Sequence, residues 1–304
     1  MAVTASMVKE LREMTGAGMM DCKNALVEAD GDMDRAVEIL REKGLSKAAK
    51  KAGRIAAMGL VDVAFSADGT EAAIIEVNSE TDFVAKNEEF IGFVKNLANL
   101  ALTGGAADME AFMALDYQGE GTVQEALTAK ISKIGENMNI RRFEKIATEG
   151  TKSVGYIHGG GKIAVIVTFK TDAAVEEISA MGRDVAMQVA SMNPKYVSEA
   201  DVDPEFIESE KKILVQQALS EGKPADIVEK MVIGRLKKEL KETCLVEQKF
   251  VKDNDLTVAQ YVKNVAKEIG KEIEVVSMVR YEVGEGIEKK EENFAEEVAK
   301  QMAK

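Results

Sequence analysis

The chain has 304 residues, enough for two or three domains that each bury a core. Its 40 basic and 53 acidic residues leave a formal net charge of −13, which repels phosphate backbones and argues against direct nucleic-acid binding. No stretch approaches the ~18 consecutive apolar residues of a membrane span, so no membrane partner is expected.

The first residues, MAVTASMVKELREM, lack the charged and apolar regions of a signal peptide and the Arg-rich look of a transit peptide. Cys22 and Cys244 stand isolated, as in a reducing compartment. A cytoplasmic, helix-rich protein is expected. A basic protein, or one that already holds a nucleotide, remains a possible partner.

Residues 1 to about 45 read as three short helices. Met7, Leu11 and Met14 share one face, Met19, Cys22, Leu26 and Ala29 a second, and Met33, Val37 and Leu40 a third. TGAG (Thr15–Gly18) and DGD (Asp30–Asp32) are the turns, with Asp32 placed to cap the third helix. KGLSKAAKKAGRIAA (Lys43–Ala57) carries five basic residues between Lys43 and Arg54. A solvated linker is expected there, because no aromatic residues interleave to stack RNA bases.

From Gly59 the period becomes two. GLVDVAF alternates Val61, Val63 and Phe65, Asp68-Gly69 is a hairpin turn, and EAAIIEV returns. IIEVN (Ile74–Asn78) reads as a buried strand and FIGFVKNLANLAL (Phe90–Leu102) as a core helix. Between them Phe83 stands in a polar turn beside Asp82. On spacing alone the ring either folds back into the core or stands out as a wedge for another protein.

The pattern then recurs. VGYIHGGGKIAVIVTFKTD (Val154–Asp172) is again strand, Gly-rich turn and strand, ending in Thr171-Asp172 as the first hairpin leads to Thr81-Asp82. A core helix with Ile178, Met181, Val185 and Val189 follows. TVQEALTAKISKIG (Thr122–Gly135) matches TVAQYVKNVAKEIG (Thr257–Gly270), and each leads to a strand, IRRFEKI or VRYEV. The second copy has Ala173 where the first has Phe83. It also inserts Pro204–Glu242, read as an antiparallel helical hairpin with Ile207, Leu214 and Ala218 on one arm. Val228, Val232, Leu236 and Leu240 line the other arm, and a tail helix carrying Phe294, Val298 and Met302 closes the chain.

The expected fold is therefore α+β and multidomain. It comprises a three-helix module with its basic linker (1–53), a first core subdomain (54–148), a related second one (149–203 and 249–286), the hairpin (204–248) and a C-terminal helical module (287–304). The core subdomains carry small antiparallel sheets.

Reactive groups are scarce. His158 is the single histidine and falls in a Gly-rich hairpin turn, so no Ser-His or Cys-His dyad is expected. No His/Cys cluster has metal-ligand spacing, and neither a metal nor a cofactor is expected. GGGK (Gly159–Lys162) fails as a phosphate loop, since Ile163 replaces the required hydroxyl and Tyr156 the first glycine. The chain reads as a binding protein and not an enzyme.

LREMTGAGMMDCKNAL, EVNSETDFVAKNEEF, IRRFEKI, YIHGGGKIAVIV, ASMNPKYV and VRYEVGEGIEKKEENFAEEV resemble the bacterial translation elongation factor Ts family, in order and almost end to end. The resemblance implies a guanine-nucleotide exchange factor for elongation factor Tu, with a ubiquitin-associated-like (UBA-like) N-terminal module and an inserted coiled coil. It implies that Thr81, Asp82, Phe83 and Val84 insert beside the partner's nucleotide site and disturb its Mg²⁺ and phosphate loop. It points to Lys9, Arg12, Met19 and Met20 as docking residues of the N-terminal module. It places His158 where the second subdomain meets the partner, which is bound both with GDP and nucleotide-free. A generic adaptor acting through the three-helix module is the alternative, and an enzyme using the acidic loops a third reading.

Overall fold

The computed structural model describes residues 3–222 and 224–288. They form a mixed α+β chain that divides into two compact units, one of residues 3–61, 75–143 and 282–288, the other of residues 62–74 and 144–281. The tail positions Phe294, Val298 and Met302 lie outside the described residues.

The chain opens with α1 (Ala5–Thr15), α2 (Met19–Glu28) and α3 (Met33–Ala49). Thr4 caps α1 by accepting from the Met7 N–H, and Asp32 caps α3 by accepting from the Arg35 N–H at 2.9 Å. Val8, Leu11, Cys22, Ala25, Leu26, Ala29, Ala36 and Ile39 form their shared core. Met7, Met33, Val37 and Leu40 pack at its margin, but Met14 and Met19 are exposed, contrary to the faces read from periodicity. Both sit at helix ends flanking the turn at 15–18, where a core of alanine and leucine closes without them.

The basic segment is helical in its first half and runs as turn and irregular chain from Lys50 on. The alanine-rich stretch carries α3 on to Ala49, as its helix propensity favours. Lys43 pairs with Glu28 at 2.6 Å and Lys47 with Asp21 at 2.9 Å. Lys51 donates to the Ile131 carbonyl at 3.4 Å, and Arg54 lies 3.5 Å from Glu80. These cations are engaged by the protein's own acceptors.

Next come β1 (Met58–Phe65), β2 (Glu71–Ser79), α4 (Asp82–Ala85), α5 (Glu88–Thr103), α6 (Met109–Ala114), α7 (Val123–Ile134) and β3 (Met138–Ala147). The sheet order is β1-β2-β3, so β2 is central and buried from Ala72 to Ser79. α5 buries Phe90, Phe93, Val94 and Leu97. The short helix α6 falls where only a loop is legible in the sequence. It buries Phe112, whose ring stacks on Phe143 at 4.6 Å.

The second series is β4 (Thr151–His158), β5 (Ile163–Lys170), α8 (Val175–Met192), α9 (Pro204–Ser220), α10 (Ala225–Thr243), β6 (Lys249–Phe250), β7 (Asp253–Thr257), α11 (Val258–Ile269) and β8 (Glu274–Glu282). β4 and β5 pair antiparallel, and the order is β4-β5-β8. In both three-stranded sheets a later strand joins the second strand of a hairpin. The helices that precede those later strands are capped alike. Thr122 and Glu125 make a capping box on α7, as Thr257 and Gln260 do on α11. Gly135 and Gly270 end them in the left-handed conformation that glycine adopts without a Cβ penalty. α9 and α10 share an apolar cluster of Leu214, Ala218, Val228, Val232, Leu236 and Leu240.

A buried carboxylate ties the first unit together. Glu76, in the middle of β2, has no solvent exposure. It faces Arg141 at 3.1 Å and Arg142 at 2.7 Å from β3, and accepts from the Gly284 N–H at 2.7 Å and the Asn78 amide at 3.1 Å. Burial by itself pushes this carboxyl up. The hydrogen bonds from Gly284, Asn78 and Arg142, with the charge of Arg142, outweigh it and hold the pKa below the usual glutamate value. Removing one member of such a buried network is costly, so Glu76→Ala should lose roughly 3–5 kcal/mol in urea unfolding. The depressed pKa makes the Glu76 contribution complete above the unfolded-state value and lost as pH falls through the folded one. Wild type should therefore lose more stability on acidification than Glu76→Ala. Equal acid sensitivity of the two would assign the effect to other carboxylates.

Candidate functional site

The turn that follows β2 is a single turn of helix with defined contacts. Thr81 is extended and caps α4, its hydroxyl accepting from the Val84 N–H at 3.4 Å. Ser79 donates its hydroxyl to the Thr81 carbonyl at 3.0 Å. Lys86 pairs with Asp82 at 2.7 Å, four residues apart on one helical face. Asn87 then caps α5 by accepting from the Glu89 N–H at 2.8 Å. Successive helical residues turn by about 100°, so one turn cannot bury all its side chains. Val84 and Ala85 point inward at 7% and 5% exposure, and Phe83 is left 80% exposed. Of the two positions that spacing leaves open for this ring, the folded chain adopts the outward one. Val84 presents little surface and anchors the turn.

Two loops hold the turn through each other. Glu136, one residue past the α7 cap, accepts from the Thr81 N–H at 3.0 Å and from its hydroxyl at 2.7 Å. Glu80 in return accepts from the Asn137 N–H at 2.5 Å. The Asn137 amide donates to the Arg54 carbonyl at 2.7 Å. Each loop's carboxylate therefore satisfies the other loop's backbone. Neither glutamate stands out in the sequence, although a signal exists. Glu136 follows Gly135 as Lys271 follows Gly270 in the matching segment.

The second series builds the same place differently. Thr171 and Asp172 lead directly into α8 through a bend, and Ala173 is buried at 1% exposure. Lys271 pairs there with Asp172 at 2.9 Å. One scaffold position thus carries an anion that accepts from backbone in one copy and a cation that binds a carboxylate in the other.

The remaining candidates are spread over separate elements. Lys9 is exposed on α1 and lies 3.7 Å from Glu13, and Arg12 is exposed on the same helix. Met19 and Met20 at the start of α2 are both exposed, at 58% and 64%. His158 ends β4 in the second unit, exposed, with its Nδ1 2.9 Å from the Tyr156 hydroxyl. The Arg183 guanidinium lies 5.7 Å from the Tyr156 ring centre. Among the described residues no group of His, Cys, Asp or Glu side chains is arranged as a metal site. No helix among them is long and apolar enough to cross a membrane. Cys22 and Cys244 are buried thiols whose pKa values burial pushes up, which makes them poor nucleophiles.

A family model described as "Elongation factor TS" matches residues 80–285, the span that begins at Glu80 of the clamp. The chain is 60% identical over 300 residues to "Elongation factor Ts" of Clostridioides difficile (strain 630), covering 99% of each chain. It is 54% identical over 302 residues to the protein of that name from Clostridium tetani (strain Massachusetts / E88), again over 99% of each. With the one from Clostridium perfringens (strain 13 / Type A) it shares 53% over 302 residues, 99% of this chain and 100% of the relative. These relatives are elongation factors by name. The chain belongs to the elongation factor Ts family.

Because Phe83 is bare and Val84 buried, the two should differ sharply in stability. Phe83→Ala should change the free energy of unfolding by less than about 0.5 kcal/mol, as surface substitutions do. Val84→Ala should cost roughly 1–2 kcal/mol through lost burial and the cavity left behind. Urea midpoints decide it, and equal losses would make the ring a core contact.

Proposed function

We propose that this chain is a guanine-nucleotide exchange factor for elongation factor Tu, and that the turn Thr81–Val84 is the element that loosens the nucleotide. The observation carrying this reading is the 80% exposed Phe83 on a clamped helical turn, against a buried alanine at the matching place of the second series. A ring required only for packing would not be held away from its own core.

The mechanism needs no covalent step. A GTPase holds GDP largely through phosphate contacts made by backbone N–H groups, a lysine and Mg²⁺. Phe83 enters a pocket between helices of the partner, and Asp82 and Thr81 are carried in with it beside the Mg²⁺ and phosphate site. Val84 keeps the turn seated on the factor's own core. Burying the ring supplies about 2 kcal/mol from area alone. Displacing the elements that hold the phosphates removes several charge-assisted contacts together. Reciprocity requires the nucleotide to weaken factor binding by the same ratio, so a returning nucleotide releases the factor.

Docking is distributed. Lys9, Arg12, Met19 and Met20 of the UBA-like module contact the GTPase domain, where the flexible thioethers suit an adaptable surface. His158 and its hairpin contact another domain of the partner. The factor binds elongation factor Tu both with GDP and without nucleotide, and it works in the cytoplasm. α9 and α10 act as the family's coiled-coil insertion between two related core subdomains.

The test is release of a fluorescent GDP analogue from elongation factor Tu. Wild type should accelerate release, and Phe83→Ala should cut the acceleration on the order of 30-fold, the equivalent of the lost burial. No acceleration by wild type would sink the exchange reading and leave an adaptor. Undiminished acceleration by the variant would move the mechanism to Asp82 or the docking surface.

A further inference from the structure

We infer that Glu136, working with Glu80, is the positioning residue that aims Phe83, and that the loop between α7 and β3 is a working part of the exchange element. The inference rests on the exchange reading for its functional consequence and on geometry for its content.

The geometry is reciprocal. Glu136 accepts two hydrogen bonds from Thr81 at 3.0 and 2.7 Å, and Glu80 accepts one from Asn137 at 2.5 Å. Hydrogen bonds to a charged acceptor are the stronger kind. The bond from the Thr81 hydroxyl to Glu136 fixes where that oxygen's lone pairs point, and one of them caps α4 through the Val84 N–H. The cap therefore depends on Glu136, and the direction of Phe83 depends on the cap. Without it an exposed aromatic on a short turn would be drawn toward any apolar surface within reach.

The second series acts as an internal control. Lys271 has no acceptor to offer a backbone N–H. It binds the Asp172 carboxylate at 2.9 Å, no helical turn forms after Thr171, and the side chain at 173 is buried. Exchanging the charge at this one position accompanies the switch from presented ring to buried methyl.

The chain contains no tryptophan, so Phe83→Trp installs a single reporter on the turn. In the free full-length protein, adding Glu136→Ala should lower the steady-state anisotropy of that tryptophan while far-UV circular dichroism shows the fold retained. Glu136→Gln should restore part of it, since the carboxamide oxygen still accepts from the Thr81 N–H while the hydroxyl loses its charged acceptor. In the Phe83 background, Glu136→Ala should lower the maximal acceleration of GDP release from elongation factor Tu by about tenfold, the size of a lost charge-assisted pair. The concentration for half-maximal effect should change little, because the docking residues are untouched, and Glu136→Gln should recover part of the rate. Unchanged anisotropy in Glu136→Ala, or full exchange by it, overturns the inference. The anisotropy measurement needs no partner. It decides the clamp even if wild type fails to accelerate release, an outcome that overturns the exchange reading alone.

Discussion

The central strand β2 is the member on which the rest of its sheet hangs. It is buried from Ala72 to Ser79 and carries a charged residue, Glu76, at its middle. An ionised carboxylate without partners in such a place would cost several kcal/mol. Arg141, Arg142, Asn78 and the Gly284 N–H therefore have to be where they are. That requirement brings the Arg141-Arg142 step of β3 beside Glu76 and ties down residues 282–285. The strand also ends in the clamped turn, so the element that presents Phe83 is rooted in the best-buried part of the unit.

The two three-stranded sheets follow a similar plan and differ in what they display. Both sheets add a later strand beside the second strand of a hairpin, and both preceding helices begin at a Thr capping box and stop at a left-handed glycine. These shared features are the costly ones to lose, because they satisfy orphan backbone groups at helix ends. The differences fall where the backbone is already satisfied. A glutamate against a lysine after the glycine, and a phenylalanine against an alanine after Thr-Asp, leave the scaffold intact and change what it displays.

How much of this was legible in the sequence depended on the range of the interaction responsible. Asp32 capping α3, the Thr and Gly limits of α7 and α11, and the core faces of α5 and α8 all arise within a few residues, and reading along the chain finds them. The exposure of Met14 and Met19 is not legible, because periodicity gives a face but not how far the neighbouring helices extend over it. The ion pairs of Lys43 and Lys47 and the bond of Lys51 are not legible either, because their acceptors, Glu28, Asp21 and the Ile131 carbonyl, are distant in sequence. The Glu136–Thr81 bond spans 55 positions. Only the internal match of Gly135-Glu136 with Gly270-Lys271 could have drawn attention to it. For Phe83, spacing left inward and outward positions open. It points outward because Val84 and Ala85 take the buried side of a turn too short to bury all three, a turn that the Thr81 cap holds in place.

A bare aromatic ring has two costs, and the structure addresses both. In the free protein its apolar area faces water, a burden the fold accepts because β2, α5 and the Glu76 network supply stability elsewhere. On binding, a mobile ring would also lose conformational freedom, which subtracts from the affinity it brings. Holding Thr81 through its N–H and its hydroxyl removes much of that loss beforehand, since the backbone that carries Phe83 is already ordered. In the exchange reading proposed above, a loose loop would adapt to the partner's pocket and leave the partner unchanged, whereas a clamped one would make the partner yield. That reading asks for the second behaviour, because the binding free energy of the ring would have to be converted into displacement of the groups that hold a phosphate.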